Sequence, residues 1–267
     1  EATTLMPSDL SGEAIGAKLK TKWLGREYLY YPEVDSTNVR IDALAQDGAK
    51  HGTVMVAELQ TEGRGRQGRV WHSPAGLNVH LSALLRPSWP AALAPPLSLA
   101  VGVALAEALA PRLPQQPALK WPNDVLYRGK KLAGILVEAA SRKEQFAHVV
   151  LGVGLNVNSH EFPNSLAETA TSLRMATGGN SDRGEVLAAV LLRMEYWFDR
   201  LEEEGGAAAI NAWSRWASGI GSEITTQQGE RRLNGVALGI DDQGALRLRD
   251  RHGVVHVIRS GEILRSV

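Results

Sequence analysis

The sequence contains no cysteine. That absence excludes disulfide bonds, thiolate metal sites and a cysteine nucleophile, and it fits a reducing compartment. An excess of one charge is also lacking, because 29 Lys and Arg residues balance 29 Asp and Glu residues. No global field therefore indicates a nucleic-acid or membrane partner, and any basic recognition must be local.

Long hydrophobic runs are lacking as well. The most apolar stretch, 95–109, is shorter than the roughly 20 residues that cross a bilayer, and it contains Glu107. The amino terminus has no basic segment leading into an apolar one, so no secretory signal is predicted. With 267 residues, 44% of them hydrophobic and 22% charged, the composition is that of a globular protein with a substantial core. A soluble, cytoplasmic protein is expected.

Periodicity and capping signals predict a mixed α+β chain. Helices are predicted over 8–24, from the Asp35–Asn38 turn to Gln46, from Pro95-Pro96 to about Ala110, and over 183–204. Strands are predicted at 28–34, 53–59, 77–85, 119–121, 132–138 and 148–158. The strand at 77–85 alternates apolar with polar or small residues, which indicates one buried and one exposed face.

The pattern changes after Gly221. Short strands at close spacing, separated by glycine turns, predict a small all-β barrel of about 45 residues. A barrel of that size is expected to pack against its neighbour, because it buries too little apolar surface alone. We therefore predict a first domain over 1–218, with a helical lead-in over 1–27, and a second domain over 219–267.

The segment Gln60-Thr61-Glu62-Gly63-Arg64-Gly65-Arg66-Gln67-Gly68-Arg69 is the most informative in the chain. Its glycines let backbone amides turn toward a ligand, and its arginines add permanent charge with planar donor groups suited to phosphate and carboxylate. An anion-binding loop is predicted. A solvated flexible loop is the alternative.

Better-known glycine-rich loops do not explain this segment. A dinucleotide fingerprint needs a helix after its last glycine and an acidic residue about 20 positions later, whereas Pro74 and a strand follow here. The catalytic motifs of protein kinases are absent from the sequence. A phosphate-binding Walker loop is excluded because Arg69-Val70 stands where lysine and a hydroxyl residue are required.

Two further segments carry candidate polar groups. In Lys120-Trp121-Pro122-Asn123-Asp124, the lysine lies between apolar neighbours, where its charge is worth more against a carboxylate or α-phosphate than in water. A surface strand ending in a turn is the alternative.

In 152–158, glycines inside a strand indicate that something packs closely on the backbone, and Asn156 could hydrogen-bond a ligand there. A bulge or tight sheet packing is the alternative.

Taken in order, five motifs resemble those of biotin protein ligases. They are Asp35-Ser36-Thr37-Asn38, Gln60 with the Gly63–Gly68 loop, Lys120–Asp124, Lys131–Glu138 and Gly152–Asn156. The resemblance runs from about Tyr30 to the end. It implies a mixed-sheet catalytic domain of the biotin/lipoate ligase type with flanking helices, and it makes the second domain an SH3-like barrel.

The resemblance also implies roles for individual residues. Lys120, Arg64 and Arg66 would be catalytic and hold the biotin carboxylate and the ATP phosphate. Biotin contacts would come from Ser36, Thr37, Asn38, Gln60, Gly63, Arg64, Gly65, Arg66, Lys120, Gly152 and Gly154. Nucleotide contacts would come from Arg64, Arg66, Arg69, Trp71, Lys120, Asn123 and Asn156.

The implied activity is formation of biotinyl-adenylate from biotin and ATP with Mg²⁺, followed by transfer of biotin to a lysine of a biotin carboxyl carrier protein. A lipoate or octanoate transferase of the same fold, an adenylate-sensing regulator and an ATP-binding module without chemistry are the alternatives. Some relatives carry a winged helix-turn-helix before the catalytic domain, and only a short helix is predicted there in this sequence. No DNA binding is therefore expected, and a homodimer is allowed.

Overall fold

The computed structural model describes residues 8–90, 94–142 and 145–266. Seven strands form the larger sheet: β1 (Tyr28–Val34), β2 (Val54–Gln60), β3 (Val79–Leu85), β4 (Ala118–Lys120), β5 (Asp124–Tyr127), β6 (Lys130–Arg142) and β7 (Gln145–Leu155). Their order is β1-β2-β3-β7-β6-β5-β4. Strands β1 and β2 are parallel, and the other neighbours are antiparallel.

Helices cover both faces of this sheet. They are α1 (Gly12–Gly16), α2 (Thr37–Gln46), α3 (Ala94–Leu109), α4 (Leu173–Thr177), α5 (Arg183–Glu204) and α6 (Ala207–Trp216). Helices α3, α5 and α6 pack together, and α3 also contacts β4, β5 and β6. Helix α2 covers the opposite face above β2, β3 and β7, over a small cluster that includes Ile41, Met55, Leu84 and Val150.

Strand β3 differs from its prediction, because all seven of its residues are buried. It lies in the sheet between β2 and β7, with helices over both faces. Leu81, Ala83 and Leu85 join the main core, whereas His80 and Ser82 point to the α2 face. The polar residues that suggested an exposed face therefore lie inside the protein.

The helix predicted over 8–24 is also wrong in its extent. Only α1 is helical, and the Ser11 hydroxyl caps it by accepting from the Ala14 amide at 3.3 Å. Gly16 ends the helix, in keeping with the low helix propensity of glycine. The chain then turns so that the backbone amides of residues 22–24 donate to the buried carboxylate of Glu195, at 2.7–3.0 Å. Those bonds favour the turn over a longer helix.

The prediction for α5 is confirmed at both ends. The Asp182 carboxylate accepts from the Glu185 amide at 2.8 Å, and Gly205 follows the helix with a positive φ of 73°. Helix α6 was not predicted.

The segment Ala94–Arg112 has a mean hydropathy of 1.4, high enough for a membrane span, but 67% of it is buried in the protein. It is the core helix against which α5 and α6 pack.

A second, antiparallel sheet follows α6. Its strands are β8 (Glu223–Gln228), β9 (Arg231–Ile240), β10 (Leu246–Arg249), β11 (Val255–Ile258) and β12 (Glu262–Ser266), in the order β11-β10-β9-β8-β12. Its buried Leu246 and Leu248 belong to the same core as the larger sheet. The α+β class with a small carboxy-terminal β-sheet is confirmed. The domain boundary at 218/219 stays a prediction.

Candidate functional site

A cleft of about 450 Å³, including its mouth, opens on the α2 face of the larger sheet. Strands β3, β6 and β7 form its floor, the start of α2 forms one wall, and the loop after β2 forms the other. It is lined by Ser36, Thr37, Asn38, Gln60, Arg64, Gly65, Arg66, Trp71, Leu81, Asn123, Lys131, Gly134, Ile135, Leu136, Gly152, Val153 and Gly154. The structure thus brings together residues of all five sequence motifs.

A polar network fixes the wall beside α2. The Thr37 amide and hydroxyl donate to Gln60 Oε1 at 2.8 and 3.0 Å, and Gln60 Nε2 donates to the Ser73 hydroxyl at 3.1 Å. From β3, the Ser82 hydroxyl lies 2.7 Å from that of Thr37 and donates to Asn38 Oδ1 at 2.5 Å. These side chains are held in place before any ligand arrives, which is how a binding site gains specificity.

The cleft glycines are explained by close packing of the protein's own side chains. A Cβ at Gly152 would lie 2.3 Å from Asn38 Oδ1, and a Cβ at Gly154 would lie 2.2 Å from the Trp71 ring. A Cβ at Gly134 would lie 2.9 Å from the same ring. Something does pack closely on the backbone here, as the sequence indicated, and it is the protein's own Asn38 and Trp71 side chains. Gly152 and Gly154 also line the cleft.

The glycine- and arginine-rich loop folds back on itself. The Gly65 amide donates to the Arg69 carbonyl at 2.7 Å and the Trp71 amide to the Gly63 carbonyl at 2.8 Å. Gln67 has a left-handed φ of 56° at the tip. The turn directs Arg64 and Arg66 toward the cleft and leaves Arg69 outside it, paired with Glu262 of β12 at 2.5 Å.

The two cleft arginines have different partners. Arg64 Nη1 lies 3.3 Å from a carboxylate oxygen of Glu138, whose other oxygen accepts from Asn38 Nδ2 at 2.8 Å. Arg66 donates to two neutral oxygens, Asn123 Oδ1 at 3.3 Å and the Gly261 carbonyl at 3.2 Å. Burial lowers the pKa of the Arg66 guanidinium, with Asp124 acting against that shift. Arg66 is the more available arginine for an anion, because its own hydrogen-bond partners carry no charge.

Two lysines share the carboxylate of Asp124. Lys131 Nζ lies 2.7 Å from Asp124 Oδ1 and 5.4 Å from the centroid of the Trp71 ring, and Lys131 lines the cleft. Lys120 Nζ lies 3.3 Å from Asp124 Oδ2 and 3.5 Å from the Ile263 carbonyl, outside the cleft lining. The sequence pattern singled out Lys120 and gave Lys131 no role, although Lys131 begins the fourth motif.

The two asparagines assigned to the nucleotide are placed differently. Asn123 lines the cleft and donates to the Ile135 carbonyl at 2.7 Å while it accepts from Arg66. Asn156 is 4% exposed, lies outside the lining, and donates to the Thr171 carbonyl at 3.0 Å. Its position supports a structural role, in which it ties the end of β7 to the segment before α4.

The donor set for a metal ion is small. No cluster of three or more His, Cys, Asp or Glu side chains occurs in 8–90, 94–142 and 145–266. Asp124 supplies hard carboxylate oxygens at the edge of the cleft, and Asn123 supplies an amide oxygen. Mg²⁺ commonly binds through one or two carboxylates together with substrate phosphates. The residues present therefore fit Mg²⁺ that arrives with a nucleotide, and they do not form a complete protein cage.

The chain matches two known protein families. Residues 30–156 match the biotin/lipoate A/B protein ligase family, and residues 219–265 match the biotin protein ligase C terminal domain. The chain is 37% identical to the bifunctional ligase/repressor BirA of Bacillus spizizenii, over 93% of this chain and 77% of that protein. It is 38% identical to the biotin–[acetyl-CoA-carboxylase] ligase of Mycobacterium tuberculosis, over 87% of this chain and 86% of that one.

A solved structure shares most of this architecture. Biotin protein ligase from Aquifex aeolicus, in complex with biotin and ATP, superposes with a TM-score of 0.79 at 32% identity, covering 91% of this chain and all of the other.

Proposed function

Because the chain belongs to the biotin protein ligase family, we propose that it activates biotin with ATP as biotinyl-adenylate and then transfers the biotin to a lysine of a biotin carboxyl carrier protein. The observation that carries this proposal is the convergence of Lys131 and Arg66 on a cleft whose wall is a preformed network of neutral hydrogen-bonding groups. Such a cleft fits a ligand that is neutral and polar at one end and anionic at the other.

The first step brings two anions together, since the carboxylate of biotin attacks the α-phosphate of ATP and pyrophosphate leaves. Lys131 and Arg66 would offset that repulsion and stabilise the charge that develops on the phosphate oxygens. Arg64, whose charge is already paired with Glu138, would contribute less unless the loop shifts on ligand binding. The work of the protein is mainly to position the two substrates and to hold positive charge between them.

The remaining contacts divide along the cleft. Ser36, Thr37, Asn38 and Gln60 would hold the ring system of biotin, with Gly152 and Gly154 as the floor beneath it. Asn123 and Lys120, on either side of Asp124, would lie toward the nucleotide phosphates. Mg²⁺ would supply charge neutralisation of the phosphates when bound, and Asp124 is the residue placed to hold it.

The second step needs a carrier lysine and a dry site. The mixed anhydride is shielded from water when the 63–71 loop covers it, and the amine of the carrier then attacks the acyl carbon with release of AMP. The glycines of the loop and its left-handed Gln67 permit such a rearrangement. A cytoplasmic location, where ATP and carboxylase carriers occur together, belongs to the same proposal.

The direct test is incubation with biotin, MgATP and a purified carrier domain, followed by mass spectrometry of the carrier. A biotin-sized mass gain on one lysine is expected, and it should vanish when ATP is omitted. Parallel reactions with lipoate and octanoate form the control. Modification of a carrier by lipoate and not by biotin would overturn the proposal in favour of a lipoate-type activity.

A further inference from the structure

Among the described residues, no group makes a well-formed hydrogen bond with either ring nitrogen of the buried His80 imidazole. Across the part of the chain that the structure describes, four buried side-chain atoms lack such a bond: Trp71 Nε1, both ring nitrogens of His80 and the Tyr127 hydroxyl. His80 is 1% exposed. An unsatisfied buried polar group costs about 1–3 kcal/mol, so such groups require an explanation. Three of these four atoms belong to Trp71, which lines the cleft, and to His80.

The register of the sheet places His80 beneath the loop. In the antiparallel pair β3 and β7, His80 lies opposite Gly154 and Ser82 opposite Gly152. Directly opposed residues project from the same face of a sheet. Since a Cβ on Gly154 would run into the Trp71 ring, the His80 side chain shares the face that Trp71 covers. It lies two residues before Ser82, which anchors the polar wall of the cleft.

The imidazole is neutral at physiological pH. Burial lowers the pKa of His80 to about 4; Arg183 and His72 lower it further, while Glu58 and the Pro74 backbone act in the opposite direction. A neutral imidazole presents one N–H donor and one acceptor nitrogen. The ureido group of biotin offers a carbonyl acceptor and N–H donors, whereas its thioether offers only a weak acceptor. The donor and acceptor of His80 therefore match the ureido group.

We propose that His80 is a specificity-determining residue that hydrogen-bonds the ureido group of biotin when the substrate displaces the Trp71 indole from Gly154. This inference rests on the proposed function. It explains why the protein retains the unpaired ring nitrogens of His80: they become satisfied only in the complex, where buried donors and acceptors reject ligands that cannot pair with them.

The first test compares His80→Phe with His148→Phe. His148 is also buried, but its imidazole pairs with Asp42 at 2.6 Å and lies outside the cleft lining. H80F should raise the KM for biotin about tenfold, leave the KM for ATP within about twofold, and keep or raise the melting temperature, because it removes unsatisfied groups. H148F should lower the melting temperature and leave both KM values alone. An unchanged KM for biotin in H80F would overturn the inference.

Desthiobiotin identifies the group that His80 contacts, since it keeps the ureido group and lacks the thioether. H80F should raise the KM by the same factor for biotin and for desthiobiotin. A penalty confined to biotin would show contact with the sulfur and refute the ureido assignment. His80→Gln, which restores a donor and an acceptor, should recover part of the lost affinity.

A measurement on the wild-type enzyme covers the case in which H80F does not fold. With nitrogen-labelled histidine, the spectrum reports the seven imidazoles of the chain. Saturating biotin should shift both ring nitrogens of one neutral, buried imidazole, and their invariance would contradict the proposal. Failure of the wild-type enzyme to adenylate biotin at all would instead reject the proposed function.

Discussion

Replacing Lys131 with glutamine should abolish most adenylate formation without unfolding the protein. The electrostatic attraction between the Lys131 ammonium and one substrate anion about 4 Å away is roughly 4 kcal/mol at an effective dielectric constant of about 20. Lys131 is 35% exposed on its side chain, so solvent screening reduces that figure, and about 3 kcal/mol is the loss expected for one positioned donor. A loss of about 3 kcal/mol corresponds to a rate reduction of about a hundredfold.

Lys120→Gln is the matched control, because Lys120 shares the Asp124 carboxylate but lies outside the cleft lining. Each variant leaves Asp124 with one lysine, so folding should be similar and the two melting temperatures should agree. For Lys120→Gln we expect a loss of tenfold or less, mainly as a higher KM for ATP.

The assay is formation of biotinyl-adenylate from radiolabelled ATP in the absence of a carrier, with the product separated by chromatography. A larger loss in Lys120→Gln than in Lys131→Gln would refute the reasoning from cleft geometry and restore Lys120 to the role that sequence alone gave it.

Other perturbations test the loop and the scaffold. Arg66→Gly should still form some biotinyl-adenylate but release it faster, so that this variant biotinylates serum albumin more than the wild type does. Equal biotinylation of albumin by the two enzymes at the same concentration would show that Arg66 does not retain the adenylate. Glu195→Ala should lower the free energy of unfolding in urea by about 1–3 kcal/mol, because the amides of 22–24 lose their acceptor. Burial alone would raise the pKa of Glu58, but hydrogen bonds led by that from Arg183 lower it below its usual 4.5. The Glu58–Arg183 pair therefore stabilises the fold above pH 4.5, and this stabilisation is lost as the pH falls through the pKa of Glu58 in the folded protein. Glu58→Gln should reduce the dependence of the melting temperature on pH in this acidic range. An unchanged slope would contradict the assignment.

Sequence patterns predicted the elements whose signals are local. Helix α5 was predicted with both ends because Asp182 and Gly205 are adjacent capping residues and its apolar face repeats at helical spacing. The lead-in at 8–24 was not, since the acceptor that bends it, Glu195, lies about 170 positions away. The burial of β3 likewise depends on which strands flank it, and alternation within the strand carries no such information.

The sequence likewise identified some residues of the candidate site and left others undecided. Residue types and spacing identified the arginine loop, and the family resemblance added the residues at the start of α2. Most of the predicted contacts from these two segments line the cleft, whereas Gly63 and Arg69 do not. The choice between two lysines could not be made, because it depends on how β5 and β6 align. Leu126 lies opposite Lys131 after a register shift, and this places the Lys131 ammonium beside Asp124 and inside the cleft. The resemblance assigned Asn156 to the nucleotide, and the strand sequence alone does not show that its side chain donates to the Thr171 carbonyl.

The shared core of the two sheets has a consequence for how the molecule comes apart. Trp121 donates from its indole to the Gly244 carbonyl at 3.0 Å, and a Cβ on Gly244 would lie 2.9 Å from Leu99 of α3. Apolar side chains of both sheets belong to one contiguous cluster. Unfolding of either sheet would therefore expose apolar side chains of the other sheet to water, which is unfavourable. Heating should therefore produce a single calorimetric transition. A proteolytic nick near residue 219 would leave two fragments that remain associated, each dependent on the other for its fold.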